Sequence, residues 1–277
     1  KWSAPKSYTV QYSLNDAAPA GHPAVNPNTV TSYTVLDSNV TLAPAMRTGY
    51  DFEGWYDNAA LSGSPITGFR TSDAANKHYY AKWSAPKRYT VNWHLNDSSP
   101  AGHPATNPNT VASYTVTDAN VTIQPATRTG YRFLGWYDNP SFTGTPITTL
   151  RTMDAANKNY YAKWDATPIS YPINYVLNDG TPAGHPASNP NTVTSYSVLD
   201  ADLALQPATR TGYDFLGWYD NAALSGSPVT TLRTADAADK QYYAKWSAAK
   251  TYTVQWNLND SSPAGHPASN PNTVASY

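Results

Sequence analysis

The segment GYDFEGWYD, from Gly49 to Asp57, is rich in aromatic residues and occurs three times. It returns as GYRFLGWYD from Gly130 and as GYDFLGWYD from Gly212. A run of aromatic rings that ends in an acid fits either a hydrophobic core or a strip on which sugar rings stack. The repetition favours the core, because every small domain has to fill its own interior. The sugar-binding strip remains the alternative.

A glycine inside this segment predicts a β-bulge. Along a strand Tyr50, Phe52 and Tyr56 share one face, whereas Trp55 falls on the other. A bulge at Gly54 would shift the register and turn the tryptophan toward the aromatic face. We therefore predict that Trp55 and its copies lie in the core.

The chain is a tandem array of one unit. The tetrad YAKW ends at Trp83, Trp164 and Trp246, which are 81 and 82 residues apart. A fixed period with near-identical copies indicates a repeated structural unit, and this period is long enough for a small domain. The predicted structural core motif comprises Tyr50, Phe52, Trp55, Trp83, Tyr131, Phe133, Trp136, Trp164, Tyr213, Phe215, Trp218 and Trp246.

Three complete modules and two partial ones are predicted. The boundaries are 1–7 for the end of a preceding repeat and its linker, 8–83 for module 1, 84–164 for module 2 with its linker, 165–246 for module 3 with its linker, and 247–277 for a linker and an incomplete module 4. Only residues 84–88 separate the first two modules, so we expect the modules to follow closely in an elongated string. We also expect the parent protein to be longer.

Alternation of apolar and polar residues predicts the strands of a module. Residues 8–14 alternate strictly and indicate a strand with one buried face. In module 3 Pro172 lies on the outward face of this strand, and because proline has no N–H we predict an unpaired edge or a bulge there. The runs 33–35 and 40–42 could be a hairpin or one bent strand, and residues 71–77 could form a helical turn with a Thr or Ser cap.

The composition is typical of a β-rich, turn-rich protein. The net charge is −1, with 18 basic and 19 acidic residues, and charged residues make up 13%. No basic stripe is present, so we predict no nucleic-acid partner. No apolar run approaches the length of a transmembrane helix, so we predict no membrane span in this stretch.

The histidines do not predict a metal or catalytic site. Four lie in the repeated GHPA motif, and none of them has a second histidine within ligand spacing, whereas zinc needs three or four converging ligands and the chain has no cysteine. A serine nucleophile elbow is also lacking. The pair Asp37 and Asn39 lacks the spacing of a calcium loop and favours a plain turn. We predict no enzyme activity, metal or cofactor, and the candidate interaction loop is marked by His22, His103, His185 and His266.

The order of the motifs resembles the Listeria–Bacteroides repeat, the B-repeat of internalin-type surface proteins. The resemblance rests on the segment Arg47–Tyr50, on Phe52, on Gly54–Tyr56 and on Tyr80–Trp83, with their copies, and covers each module nearly end to end. It implies a mainly β or small α+β fold of β-grasp-like modules. It also implies an extracellular location, at a bacterial cell surface or secreted. The long GHPA loop departs from the shorter connection of the family, so its role does not follow from the resemblance.

Two functions remain open at this stage. The first is structural: a stalk or fibre segment that projects a distal domain or assembles with other copies of itself or with neighbouring modules. The alternative is a multivalent adhesin, in which each repeat binds a host or cell-wall glycan or protein weakly and the repeats add up by avidity.

Overall fold

The computed structural model describes residues 3–258 and 269–277, which form strands, short 3-10 helices and loops. The chain divides into two compact units. Unit 1 comprises residues 1–128 and 133–164, and unit 2 comprises residues 129–132 and 165–277. Modules 1 and 2 therefore belong to unit 1, except for the turn 129–132, and module 3 belongs to unit 2. The described residues contain no α-helix, so the mainly β class is confirmed and the α+β alternative is not.

Each module is built on a four-stranded mixed sheet. Module 1 contains β1 (Ser7–Ser13), β2 (Ala24–Val25), β3 (Ser32–Thr34), β4 (Val40–Thr41), β5 (Met46–Arg47), β6 (Phe52–Tyr56), β7 (Gly68–Phe69), a 3-10 helix (Thr71–Asp73) and β8 (Lys77–Trp83). The sheet order is β3-β1-β8-β6. The first and last strands are parallel neighbours in the centre, and the two outer pairings are antiparallel.

Modules 2 and 3 repeat this architecture. Module 2 contains β9 (Arg88–His94), β10 (Ala105–Thr106), β11 (Ser113–Thr115), β12 (Val121–Thr122), β13 (Thr127–Arg128), β14 (Phe133–Tyr137), β15 (Thr149–Leu150), a 3-10 helix (Thr152–Asp154) and β16 (Lys158–Trp164). Module 3 contains β17 (Tyr171–Val176), β18 (Ala187–Ser188), β19 (Ser195–Tyr196), β20 (Leu203–Ala204), β21 (Thr209–Arg210), β22 (Phe215–Tyr219), β23 (Thr231–Leu232), a 3-10 helix (Thr234–Asp236) and β24 (Lys240–Trp246). The sheet orders are β11-β9-β16-β14 and β19-β17-β24-β22. Within residues 252–277, Thr253 forms a bridge with Ser276.

Two short ribbons, β2-β5 and β4-β7, complete each module. They show that the runs 33–35 and 40–42 form neither a hairpin nor one bent strand. The first run contains β3, which pairs with β1 of the main sheet, and the second contains β4, which pairs with β7. A turn in which the N–H of Asp37 donates to Thr34 O separates the two runs and directs them to different partners.

The predicted bulge at Gly54 is confirmed. The pairing of β6 with β8 shifts register between Phe52 and Gly54, and the glycine has a φ of 132°, which an L side chain rarely adopts. As a result Trp55 lies in the core with 1% of its surface exposed. The Phe52 ring lies 5.4 Å from the rings of both Trp55 and Trp83, so the segment and the module end meet in one aromatic cluster.

Pro172 marks neither an edge nor a bulge, because β17 is an inner strand between β19 and β24. The proline stands where module 1 has Thr9, whose N–H donates to the side-chain oxygen of Asn76 at 3.0 Å. The parallel ladder with the last strand begins only at the next residue, Ile173. Proline therefore removes a side-chain hydrogen bond and no ladder bond, and Asp239 replaces the asparagine in that module.

The predicted Thr or Ser cap of the helical turn is also wrong. The turn is a 3-10 helix from Thr71 to Asp73, its N-cap is Arg70, and no side chain caps it. Thr71 is buried and instead uses its hydroxyl group to donate to Asp37 O at 2.7 Å. The side chain that suggested a cap therefore fixes the helix to the turn after β3.

Candidate functional site: the arginine-held loop

The long loop of each module is held by the arginine of the RTGY motif. In module 1 the Arg47 Nε donates to His22 O at 2.9 Å, and Nη2 donates to Ala18 O at 3.0 Å. Two further loop carbonyls lie 3.4 Å from Nη2. The guanidinium carbon lies 4.1 Å from the centre of the Tyr50 ring. Arg47 is only 7% exposed, and these acceptors and the ring compensate for its lost hydration.

The same arrangement recurs in the other two modules. Arg128 donates to His103 O at 2.8 Å and Arg210 donates to His185 O at 2.9 Å. The other main acceptor is the carbonyl of Ala18, Ser99 or Thr181, according to the module. Because the arginine donates to backbone carbonyls of the loop, it holds loops of different sequence in the same way.

An aspartate closes each loop at its base. Asp16 Oδ2 accepts the N–H of Ala24 at 2.6 Å, and thus ties the start of the loop to β2. Asp97 and Asp179 do the same for Ala105 and Ala187. The loops therefore have a defined conformation that side-chain hydrogen bonds maintain.

His22, His103 and His185 contribute their carbonyls to the arginine and differ in the exposure of their rings. His22 is 4% exposed and lies 6.2 Å from the Tyr50 ring. His185 is exposed, and His103 is intermediate. His266 lies outside the described residues. In the part of the chain that the structure describes, no group of three His, Cys, Asp or Glu side chains could hold a metal ion.

The predicted aromatic motif is divided between two places. Trp55, Trp136 and Trp218 are fully buried and belong to the core of their modules. The phenylalanines and the closing tryptophans are partly buried and pack against these cores, at Phe52, Phe133, Phe215, Trp83, Trp164 and Trp246. By contrast Tyr50 and Tyr213 stack on the loop arginines, and Tyr131, at the matching position of module 2, is buried. The motif therefore connects the core to the loop.

The turn from Asp37 to Asn39 uses its oxygen atoms inside the module. Asp37 Oδ2 accepts the N–H of Thr34 at 2.6 Å, and Asn39 Oδ1 accepts the N–H of Thr71 at 3.2 Å. Modules 2 and 3 repeat both bonds at Asp118, Asn120, Asp200 and Asp202. These oxygens therefore accept hydrogen bonds from the polypeptide of their own module.

An open groove of about 940 Å³ lies beside the β4-β7 ribbon of module 1, and a smaller one of about 290 Å³ lies at the matching place in module 3. Sequence patterns did not indicate this groove, because its walls come from segments far apart in the chain. Several of its polar side chains have partners within the protein. Lys77 Nζ lies 2.8 Å from Asp73, and Asn76 accepts the N–H of Thr9.

Buried tyrosines lie on the last strand of each module. Burial raises the pKa of Tyr160 and of Tyr242 to about 12, and repulsion from nearby acidic and phenolic groups adds to the effect. Burial also raises the pKa of Tyr79. Burial thus favours the neutral form of these phenols, which pack in the cores of their modules.

Comparisons with known proteins agree with the repeat structure. The family model described as the Listeria-Bacteroides repeat domain matches residues 8–82, 89–163 and 171–245. A protein of Evansella cellulosilytica named "Putative Gly-rich membrane protein" is 28% identical over 229 residues, which are 78% of this chain and 24% of the relative. A second protein of that organism, named "Putative membrane protein", is 25% identical over 220 residues, 78% of this chain and 29% of the relative. No solved structure matches.

The chain spans about a quarter of the length of the curated relatives it matches. Among the residues that the structure describes, none forms a helix with the length and apolar character needed to cross a membrane. The three matches to the repeat model coincide with the three modules and cover most of the sequence. The chain therefore belongs to the Listeria–Bacteroides repeat domain family.

Proposed function

We propose that these modules form a structural spacer, a stalk or fibre segment, of an extracellular bacterial surface protein. The observation that carries this proposal is the internal use of the repeated polar residues. The arginine and the aspartate of the long loop, and the turn after β3, all bond to the backbone of their own module. These repeated side chains therefore maintain the fold of their own module.

The proposal includes a β-grasp-like module. Counting only the four strands of the main sheet, their order is second, first, fourth, third, with a parallel pair in the centre. Because the first and last strands are parallel, the module begins and ends at opposite ends of its sheet, which suits modules that follow one another in a row. An elongated arrangement of the modules is part of the same proposal and rests on the short linkers between them.

The comparisons support a location at the cell envelope. Both relatives are named as membrane proteins, and both are several times longer than this chain. A repeat region that occupies part of a long envelope protein suits a spacer between an anchor and a distal domain. We propose no catalytic role.

Small-angle X-ray scattering of the whole chain over a concentration series tests the spacer. Each module should add roughly 30–40 Å to the longest dimension, as its expected radius of gyration indicates. We expect an elongated particle whose length does not change on dilution. Growth with concentration would indicate that the modules assemble into fibres, and a compact particle at all concentrations would contradict the spacer.

The groove of modules 1 and 3 favours a second candidate, a multivalent adhesin. Its walls carry acidic, basic and amide groups, including Asp57 and Arg70, which suit the hydroxyl groups of a glycan. A glycan array probed with the whole chain tests this candidate. Binding that is lost in an Asp57→Ala and Asp220→Ala double variant would support the adhesin. If no glycan on the array binds, the spacer is the candidate that remains.

A further inference from the structure

The RTG turn of module 1 presents a bare glycine to module 2. Gly49 has a φ of 81° and is buried, and Val116, directly after β11, lies against it. A Cβ atom built on Gly49 would overlap both γ-carbons of this valine. Val116 is only 2% exposed. The absence of a side chain at Gly49 is therefore what makes room for the valine of the next module.

The linker between the two modules is bonded to the same turn. The N–H of Lys87 donates to Gly49 O at 2.8 Å, and the N–H of Ser84 donates to Asp51 O at 3.0 Å. The side chains add two contacts: Ser84 Oγ accepts the N–H of Asp51, and Lys87 Nζ lies 2.5 Å from the Asp51 carboxylate. Both Ser84 and Lys87 of the linker are thus bonded to module 1. These bonds fix the position at which module 2 begins.

Unit 2 contains the same contact. A Cβ atom on Gly130 would overlap the side chain of Val198, which is 6% exposed, and the N–H of Ile169 donates to Gly130 O at 2.8 Å. The linker in this unit has one more residue than the linker 84–88. The contact is therefore kept although the linker length changes, which indicates that the glycine and the valine define it.

The chain also contains each half of the contact by itself. Val35, which corresponds to Val116, is 44% exposed. Gly212, which corresponds to Gly49, has the same φ of 81°, but among the described residues beyond its chain neighbours no atom lies within 4 Å of the place of a Cβ. Its carbonyl still accepts the N–H of Lys250 at 2.8 Å. The hydrogen bond between the linker and the turn is thus the same at Gly49 and at Gly212.

We propose that the RTG glycine is a docking socket for the valine that follows the second main-sheet strand of the next module, and that this contact makes modules 1 and 2 one rigid body. The bonded linker positions module 2 beside the turn. The missing side chain of the glycine leaves the space that the valine fills. The partner of this surface is a second copy of the module in the same chain. The inference deepens the proposed spacer function, because a stiff joint is what lets a row of modules hold a distance.

A spin-label distance measurement tests the socket in the whole chain. The chain has no cysteine, so Ser64→Cys and Thr145→Cys introduce a labelled pair at equivalent exposed positions of modules 1 and 2. We expect a single narrow distance distribution. In the same background Val116→Asp should broaden the distribution at least twofold, whereas Val35→Asp, the same change at the exposed counterpart, should leave it narrow.

The glycine side of the joint supplies an independent pair of variants. Gly49→Ala and Gly212→Ala place a Cβ at the same left-handed backbone position, but only the first meets a valine. We expect Gly49→Ala to broaden the distribution. Gly212→Ala lies outside the labelled modules, so the change in unfolding free energy that it causes measures the strain of a Cβ that meets no valine. This pair keeps the test valid even if Val116→Asp unfolds module 2.

Two results would overturn the socket: a broad distribution in the unmodified sequence, or equal distributions in the matched variants. The spacer fails separately, through a compact scattering particle. A narrow distribution in a chain that proves to be an adhesin would retain the joint and reject the spacer.

Discussion

In the core of a module the contacts join side chain to side chain, whereas in the long loop they join one side chain to the backbone. The core strand β1 places Tyr12 against Trp55, and the matching strand of module 2 uses Trp93 against Trp136, at ring distances of 5.4 and 5.0 Å. In the loop the backbone carbonyls converge on Arg47, beside the ring pair of His22 and Tyr50.

The difference explains how each region tolerates changes of sequence. In the core a tyrosine can replace a tryptophan only because a second large ring remains to fill the space. In the loop Ala18, Ser99 and Thr181 are interchangeable, because the arginine binds what every residue has, a carbonyl group. The core should therefore be destabilised by any substitution that removes side-chain volume. The loop should be destabilised by the loss of one side chain, the arginine.

The largest effect is expected in the core. Trp136→Ala removes the central ring of module 2, and a buried Trp→Ala change costs about 3–5 kcal/mol of unfolding free energy. Hydrogen exchange measured peptide by peptide should show that module 2 loses protection in both sheet and loop. Modules 1 and 3 serve as internal controls. Loss confined to the loop 97–108 would contradict the central place of this tryptophan.

Alkaline pH should weaken the same core by a smaller amount. The pKa of Tyr160 and of Tyr242 is about 12 in the folded chain, above the value near 10 of an exposed tyrosine. Between these values the unfolded chain releases protons that the folded chain keeps, so the free energy of unfolding falls as the pH rises from 10 to 12. The full loss is about 2–3 kcal/mol for each tyrosine.

Chemical denaturation at pH 9, 10, 11 and 12 measures this dependence. Tyr160→Phe should make the unfolding free energy fall less steeply with pH, because phenylalanine has no proton to lose. The part of the dependence that disappears is the contribution of Tyr160 in module 2. A slope unchanged by this substitution would show that the alkaline loss arises outside the core.

The loop should respond to one substitution without affecting the core. Arg47→Met keeps much of the side-chain volume but leaves buried carbonyls without a donor, which costs about 1–3 kcal/mol. Hydrogen exchange should show lost protection in residues 15–29 and normal protection in β6 and β8. Arg70→Met, at an exposed arginine of the same module, is the control. Equal loss in loop and sheet would remove the distinction between the two regions.

Sequence patterns predict the core well, because its signals are local. The alternation in residues 8–14 and the glycine at 54 act on their own strands, so the strand and the bulge follow from a few neighbouring residues. The role of Arg47 does not follow, because its acceptors lie 25 to 31 residues earlier and are carbonyls that no residue type reveals. The role of Gly49 depends on a valine in another module, at position 116.

The smallest effect is expected where proline enters the sheet. In module 2 the N–H of Thr90 donates to the side chain of Asn157, whereas the N–H of the next residue, Val91, donates to Ala112 O at 2.8 Å. Thr90→Pro should therefore cost only about 1 kcal/mol, the value of one side-chain hydrogen bond.

Val91→Pro is the matched control, because it removes a backbone bond from an inner strand. We expect it to cost at least about 3 kcal/mol. Adding Asn157→Asp to Thr90→Pro reproduces the pair that module 3 carries as Pro172 and Asp239. Hydrogen exchange of β9 distinguishes the variants. If Thr90→Pro disrupts β9 as strongly as Val91→Pro, the N–H of this position contributes to the sheet, and module 3 must then compensate for its proline in another way.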